Sequence, residues 1–318
     1  MRILFFFLDG VGLGSDDPQS NPIVQANLPY LTKLLGGRLL TASALNDSGE
    51  LVTPDATLLA LDAGLGVAGL PQSATGQASL LTGINIPQAI GEHYGPKPNP
   101  AIAAHLRNGN LFSQLVQKGK QTGLLNAYPP GYFAGIDSGK RIYSAIPLAI
   151  TSAGLALLTE ADLRAGVALA ADFTGAGWQQ HLKSDGIPKF TPFQAGVKLA
   201  QLTQKFDLAF FEYWLSDTAG HRQDMEAAIS ILETLDGVLG GLSESWDHQD
   251  GLAQDGLAKD GLVLITSDHG NLEDLSTRRH THNPVPALLI GDQSLRQRFG
   301  ASLHDLTDIT PAILEFLG

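Results

Sequence analysis

Three aspartates and three histidines stand just beyond apolar runs in this chain. Asp9 follows Ile3–Leu8, Asp268-His269 follows Leu262–Thr266, Asp217 and His221 follow Leu208–Trp214, and His280 opens His280-Thr-His-Asn-Pro284. Carboxylate and imidazole in this mixture are ligands for divalent transition ions. With no cysteine in the chain, the set suits Zn²⁺ or Mn²⁺ first and the oxygen-preferring Mg²⁺ or Ca²⁺ less. Two such ions about 4 Å apart would clamp the attacking and leaving oxygens of an in-line displacement at phosphorus. The chemistry expected is two-metal phosphoryl transfer.

Each segment alone has a plainer reading. Asp9-Gly10 also reads as a turn after a strand, and Asp268-His269-Gly270-Asn271 as an Asx-turn beside a surface imidazole. In Ser216-Asp-Thr-Ala-Gly-His221 the glycine is expected to let the backbone fold back, so that Asp217 and His221 converge. His280 and His282, two apart, would face one side of an extended segment. A nucleophile is expected in Gln72-Ser-Ala-Thr-Gly-Gln77. Ser73 would open a helix, where orphan amides and the dipole favour an oxyanion, although Ser73 or Thr75 would serve equally as a plain N-cap.

These residues need elements to position them. Strands are expected at Ile3–Leu8, Thr122–Ala127, Leu208–Trp214, Leu262–Thr266 and Ala287–Ile290, and helices at Ser73–Leu81, Leu111–Lys118, Phe193–Lys205 and from Thr310-Pro311 to Phe316. Met225, Ile229, Leu232, Leu235, Leu239 and Leu242 share one helical face. Strands alternating with helices imply an α/β protein with a largely parallel sheet sandwiched by helices. Ligands of such sheets gather at the carboxyl ends of strands, which is where the three aspartates fall. Residues 129–191, rich in Gly, Ala and Pro, are expected to be a small inserted cap or lid on a core formed by 1–128 and 192–318. The five-residue repeat Asp250-Gly-Leu-Ala-Gln up to Leu262 reads as a solvated connector, because its aspartates do not match a calcium loop.

At 318 residues and 43% apolar content the chain can bury a large core. Absent cysteine excludes disulfides, thiolate catalysis and iron–sulfur clusters. A net charge of −12 disfavours nucleic acid and anionic membranes. The apolar start breaks at Asp9-Gly10, too early for a signal core or a membrane span, so the cytoplasm is the expected compartment. A small phosphorylated substrate fits only where bound cations reverse the local field. The oligomeric state is not expressed in the sequence.

Taken in order, these segments resemble the alkaline phosphatase superfamily, especially its cofactor-independent phosphoglycerate mutases and phosphopentomutases. Leu8-Asp-Gly-Val-Gly12, Gln72-Ser-Ala-Thr-Gly-Gln77, Asp217-Thr-Ala-Gly-His221, Thr266-Ser-Asp-His-Gly-Asn271 and His280-Thr-His-Asn-Pro-Val-Pro286 look like the mutase motifs in the same succession. Thr82-Gly83 resembles the end of the nucleophile segment in alkaline phosphatase. The likeness covers roughly residues 1–127 and 193–318. It implies one ion on Asp217, His221 and His280, and a second on Asp9, Asp268, His269 and Ser73, with Ser73 as nucleophile. His282 falls where the mutases carry no ligand. Two departures stand out, since Gln77 replaces a mutase histidine and Ala74 an acidic residue. The inserted segment is also far shorter than theirs, and its adjacent basic pair Lys140-Arg141 is expected to be solvated.

The expected activity is a phosphomonoesterase working through a phosphoserine on Ser73. A phosphomutase or phosphodiesterase using the same centre is the alternative within enzymes. Outside enzymes the alternative is a metal- or phospholigand-binding protein without turnover.

Overall fold

The strand Arg2–Leu8 carries no polar residue between Ile3 and Leu8, and all six of those side chains are buried. Strand geometry sends alternate side chains to opposite faces. Ile3, Phe5 and Phe7 therefore join one apolar cluster, and Leu4, Phe6 and Leu8 another. A strand buried on both faces belongs in the middle of a layered α/β molecule, and that is where it lies. The computed structural model describes residues 1–247 and 261–318.

The strands in chain order are β1 (Arg2–Leu8), β2 (Glu50–Val52), β3 (Ala56–Leu61), β4 (Thr122–Leu124), β5 (Ala127–Tyr128), β6 (Leu158–Thr159), β7 (Leu208–Tyr213), β8 (Gly261–Ser267) and β9 (Val285–Gly291). Seven of them form one sheet in the order β2-β3-β9-β8-β1-β7-β4, and β5 pairs with β6 apart from it. The α/β sandwich is as the sequence implies, but the sheet is mixed. β4, β7, β1 and β8 run parallel, whereas β9, β3 and β2 join by antiparallel pairs. The antiparallel half follows from a connection that carries no helix, since residues 268–284 turn back directly from β8 to β9. The short β2 and β3 escaped the sequence reading because neither is a long apolar run.

Helices Ser73–Thr82, Pro100–Asn108, Leu111–Gln117 and Ile309–Leu317 cover one face, and Pro192–Thr203 and Met225–Asp247 cover the other. Phe210 on β7 contacts Phe5 and Phe7 on β1 at ring-centroid distances of 4.5 and 6.2 Å, and Phe112 at 5.6 Å. Truncating such a ring to alanine costs about 3–5 kcal/mol, so β1 and β7 are held firmly in register.

That register positions the site. Leu8 pairs with Tyr213 on one side and with Ser267 on the other. The residues just beyond, Asp9, Trp214 and Asp268, thus emerge side by side at one sheet edge, on strands about 4.8 Å apart.

The stretch 129–191, expected as a single inserted lid, divides among three apolar clusters, with Leu169 and Phe173 joining the one that holds Leu4 and Phe6. Helix Ala145–Ser152 buries Ala145–Ile150 in the main core, because an uninterrupted apolar run has nowhere else to go. Ala127, Leu163, Ala168, Ala170, Trp178 and Ile187 form a separate small cluster with Leu158 packed on it. The repeat from Asp250 lies outside the described residues as far as residue 260. No helix among the described residues is long and apolar enough to cross a membrane.

Candidate metal centre

Asp9 continues from β1, where its backbone N–H donates to the Tyr213 carbonyl oxygen at 2.9 Å. Asp268 and His269 follow β8 and are wholly buried. Ser73 begins the ten-residue helix Ser73–Thr82, which is buried along its whole length. Its Oγ lies 3.0 Å from His269 Nε2. The same nitrogen is 3.3 Å from Asp9 Oδ1 and 3.6 Å from Asp268 Oδ2.

Asp217 and His221 sit four apart on the helix Leu215–Arg222. The expected fold-back at Gly220 is therefore corrected. Helical spacing brings the two side chains onto one face, with His221 Nε2 at 3.4 Å from Asp217 Oδ2. Gly220 serves a different need, since a Cβ there would meet the Asn271 side chain at 2.6 Å. Close approach lets Asn271 Nδ2 donate to Asp217 Oδ1 at 2.7 Å. His280 Nε2 completes this group at 3.3 Å from His221 Nε2 and 3.8 Å from Asp217 Oδ1. His282 is exposed and outside the cluster.

Ligand atoms of Asp9, Asp268 and His269 lie within 4.8 Å of one another, as do those of Asp217, His269 and His280. His269 is common to both groups and its ring stacks on His280 at 3.7 Å between centroids.

Three observations fit this donor set to cations. First, each imidazole turns Nδ1 to a backbone carbonyl, at 2.8 Å on Arg278 for His221, 2.7 Å on Pro71 for His280 and 3.3 Å on Gly270 for His269. A carbonyl only accepts, so Nδ1 carries a proton in each ring and Nε2 is the nitrogen that faces the pocket, the one a metal ion would take after displacing any proton there. Second, Asp9 Oδ1 is buried without a hydrogen-bond partner among the described residues. Third, the electrostatics call for positive charge. Burial pushes Asp268 well above the usual carboxylate range, more than neighbouring His269 lowers it. Burial also opposes charge on His269, but Asp268, Asp9 and Asp217 outweigh it and hold that imidazole protonated up to about 10. His280, desolvated and next to His269, is pushed down to about 4. The carboxylates around His269 thus favour positive charge at the centre of the cluster.

With this geometry in view, residues 194–318 match the model of the Metalloenzyme superfamily. That matched segment carries Asp217, His221, Asp268, His269 and His280 of the cluster. It is 34% identical over 122 residues to the 2,3-bisphosphoglycerate-independent phosphoglycerate mutase of Pseudomonas syringae pv. syringae (strain B728a), a match covering 36% of this chain and 21% of that protein. The corresponding mutase of Desulforudis audaxviator (strain MP104C) is 37% identical over 123 residues, with the same shares covered. The chain thus spans about a fifth of the length of these relatives. The alkaline phosphatase of the Antarctic bacterium TAB5 shares the fold, with a TM-score of 0.51, 12% identity, and 99% of this chain and 97% of that one covered.

Sequence reasoning missed two residues that support this cluster. Gln77, noted only as a departure, lies one turn beyond Ser73 and donates Nε2 to Asp268 Oδ2 at 3.1 Å, which fixes that carboxylate. Glu273 is buried and accepts from the Gly12 and Asn271 amides at 2.8 Å each, and from Thr281 Oγ1 and Asn283 Nδ2 at 2.5 and 3.0 Å. It ties together the loops bearing Asp9, His269 and His280. Its signal was present four residues beyond His269, but a lone glutamate in a loop has no period that reveals burial.

Proposed function

We propose that this chain is a metal-dependent phosphoryl-transfer enzyme, specifically a phosphomonoesterase that passes through a phosphoserine at Ser73. Asp217, His221 and His280 would hold one divalent ion, and Asp9, Asp268, His269 and Ser73 the other, with Zn²⁺ or Mn²⁺ the best match and Mg²⁺ next. When bound, the ions would neutralise phosphoryl oxygens and lower the pKa of the serine hydroxyl. The observation that carries the reading is the meeting of Ser73 Oγ with His269 Nε2 at 3.0 Å, inside a cluster whose other imidazole nitrogens and carboxylates converge on the same space.

The chain's own residues divide the remaining work. Ser73 Oγ forms the new bond to phosphorus as the ester P–O bond breaks and the alcohol departs. Thr75 N–H already donates to the Tyr94 carbonyl at 3.0 Å, so the amides of Ser73 and Ala74 are those at the helix start left to favour negative charge at Ser73. Gln77 and Asn271 hold Asp268 and Asp217 by direct hydrogen bonds, so neither carboxylate reorganises during transfer. Attack of water on the phosphoserine, with release of phosphate, restores Ser73.

A second reading, phosphomutase action, is supported by the mutase relatives. Such an enzyme must keep water from its phosphoserine until the substrate returns. Here the segment with its own apolar cluster beyond the core is small, involving Leu158 to Ile187, and we infer hydrolysis. The test is phosphate release from a panel of phosphomonoesters by protein supplied with Mn²⁺ or Zn²⁺. Release that disappears in Ser73→Ala supports the proposal. Isomerisation of a phosphoester without release moves the assignment to the mutase.

A further inference from the structure

A cavity of about 1000 Å³ opens beside the metal cluster, reaching Asp9 and Glu212 at one end and Trp178 on the helix Ala176–Leu182 at the other. Pockets that enclose drug-sized ligands run from roughly 300 to 1,000 Å³. A three-carbon phosphoester seated at Asp9 would leave most of this space to water. A larger leaving group would fill it.

The walls indicate what kind. Tyr128 and Tyr132 line the cavity with their rings 4.6 Å apart, and Trp178 and Trp214 line it as well. Trp214 is 44% exposed, an unusual place for an indole without a partner, and it stands between β7 and the Asp217 helix. Arg141 also lines the cavity, with Cζ 5.2 Å over the Tyr132 ring. Arg141 is thus not one of a merely solvated pair, while Lys140 is exposed and lines nothing here. Tyr132 Oη is buried and has no hydrogen-bond partner among the described residues.

We propose that the cavity receives the alcohol portion of phosphomonoesters that carry a flat heteroaromatic ring, with the ring against the tyrosine and tryptophan faces, the exposed Trp214 first. The inference rests on the phosphoryl-transfer reading for the part of the cavity at Asp9. Aromatic faces accept flat rings with little dependence on ring identity.

Adenosine 5′-monophosphate and ribose 5-phosphate share the phosphate on the ribose 5-oxygen and differ in the heteroaromatic ring, so they separate the two parts of the site. Their dissociation constants are measured by calorimetry on Mn²⁺-loaded Ser73→Ala protein, which binds without turnover. The nucleotide is expected to bind about tenfold tighter or more. Tyr132→Ala and Trp214→Ala, which each remove an aromatic face, should erase most of that preference and leave ribose 5-phosphate binding unchanged. Equal affinities, tighter ribose 5-phosphate, or a preference that survives both substitutions would overturn the proposal, as would failure of the nucleotide to bind at millimolar concentration. If the preference appears but wild-type protein releases phosphate from neither compound, the cavity assignment stands and the phosphatase reading fails.

Discussion

His221 Nε2 and His280 Nε2 face each other across 3.3 Å. Because each Nδ1 donates to a backbone carbonyl, at 2.8 Å on Arg278 and 2.7 Å on Pro71, the two lone pairs are confronted. That arrangement repels unless a cation lies against both. Zn²⁺ or Mn²⁺ added to chelator-treated protein should therefore raise Tm by about 5 °C or more at a hundredfold excess over Kd. His221→Ala, at an exposed position, should remove much of the rise with little change in the metal-free Tm. Differential scanning calorimetry reads both quantities.

Ser73 separates binding from chemistry. Ser73→Ala should lower phosphate release by about 10³-fold or more, because Ser73 Oγ is the hydroxyl that stands 3.0 Å from His269 Nε2. Metal content by elemental analysis should stay close to that of wild type. An equal loss of both would make the serine a structural ligand and not the nucleophile.

Much of this centre was legible in the chain. Asp9 and Asp268 follow runs of apolar residues long enough to be buried strands, and strands of a parallel sheet deliver their carboxyl ends to one edge. Asp217 was legible in place but not in conformation, since Ser216–His221 looked like a turn and is a helix that presents Asp217 and His221 together. The antiparallel half of the sheet was hidden because β2 and β3 are short and partly exposed. Residues 145–152 were read with the lid for their composition, whereas their burial is set by contact with distant helices. Glu273 and Gln77 were invisible as supports because their roles depend on partners more than 190 positions away or across a loop.

Glu273 should matter for metal affinity without touching a metal. Glu273→Gln replaces an accepting oxygen with a donating NH₂ and leaves at least one of the amides of Gly12 and Asn271, or the Thr281 and Asn283 donors, unmatched. Metal affinity, measured by competition with a chromophoric chelator, should fall by about 10–100-fold. Gly12→Ala should act on the same joint, since its Cβ would lie 2.5 Å from Glu273 Oε1, and should destabilise the fold by about 1–3 kcal/mol. An unchanged chelator competition in both variants would show that the three loops hold themselves.

Glu212 gives a pH dependence. Burial above all, and then the negative charge of Asp9, raise its carboxyl to about 8 from 4.5, against a hydrogen bond from Tyr128 that lowers it. The folded protein keeps this proton where the unfolded chain has released it. Stability of the chelator-treated protein should therefore fall as pH rises from about 4.5 to about 8, by at most ~1.4 kcal/mol per pH unit from this group. Glu212→Gln cannot ionise, so its denaturant midpoint should gain on that of wild type across the same interval. Parallel profiles for the two proteins would exclude the raised carboxyl.

The central claim, that these side chains hold a pair of cations beside Ser73, is tested most directly by anomalous diffraction from crystals grown with Mn²⁺. The account predicts two peaks, one against Asp9, Asp268 and His269 and one against Asp217, His221 and His280. Crystals with no anomalous density among these residues, or with manganese bound only elsewhere, would contradict it.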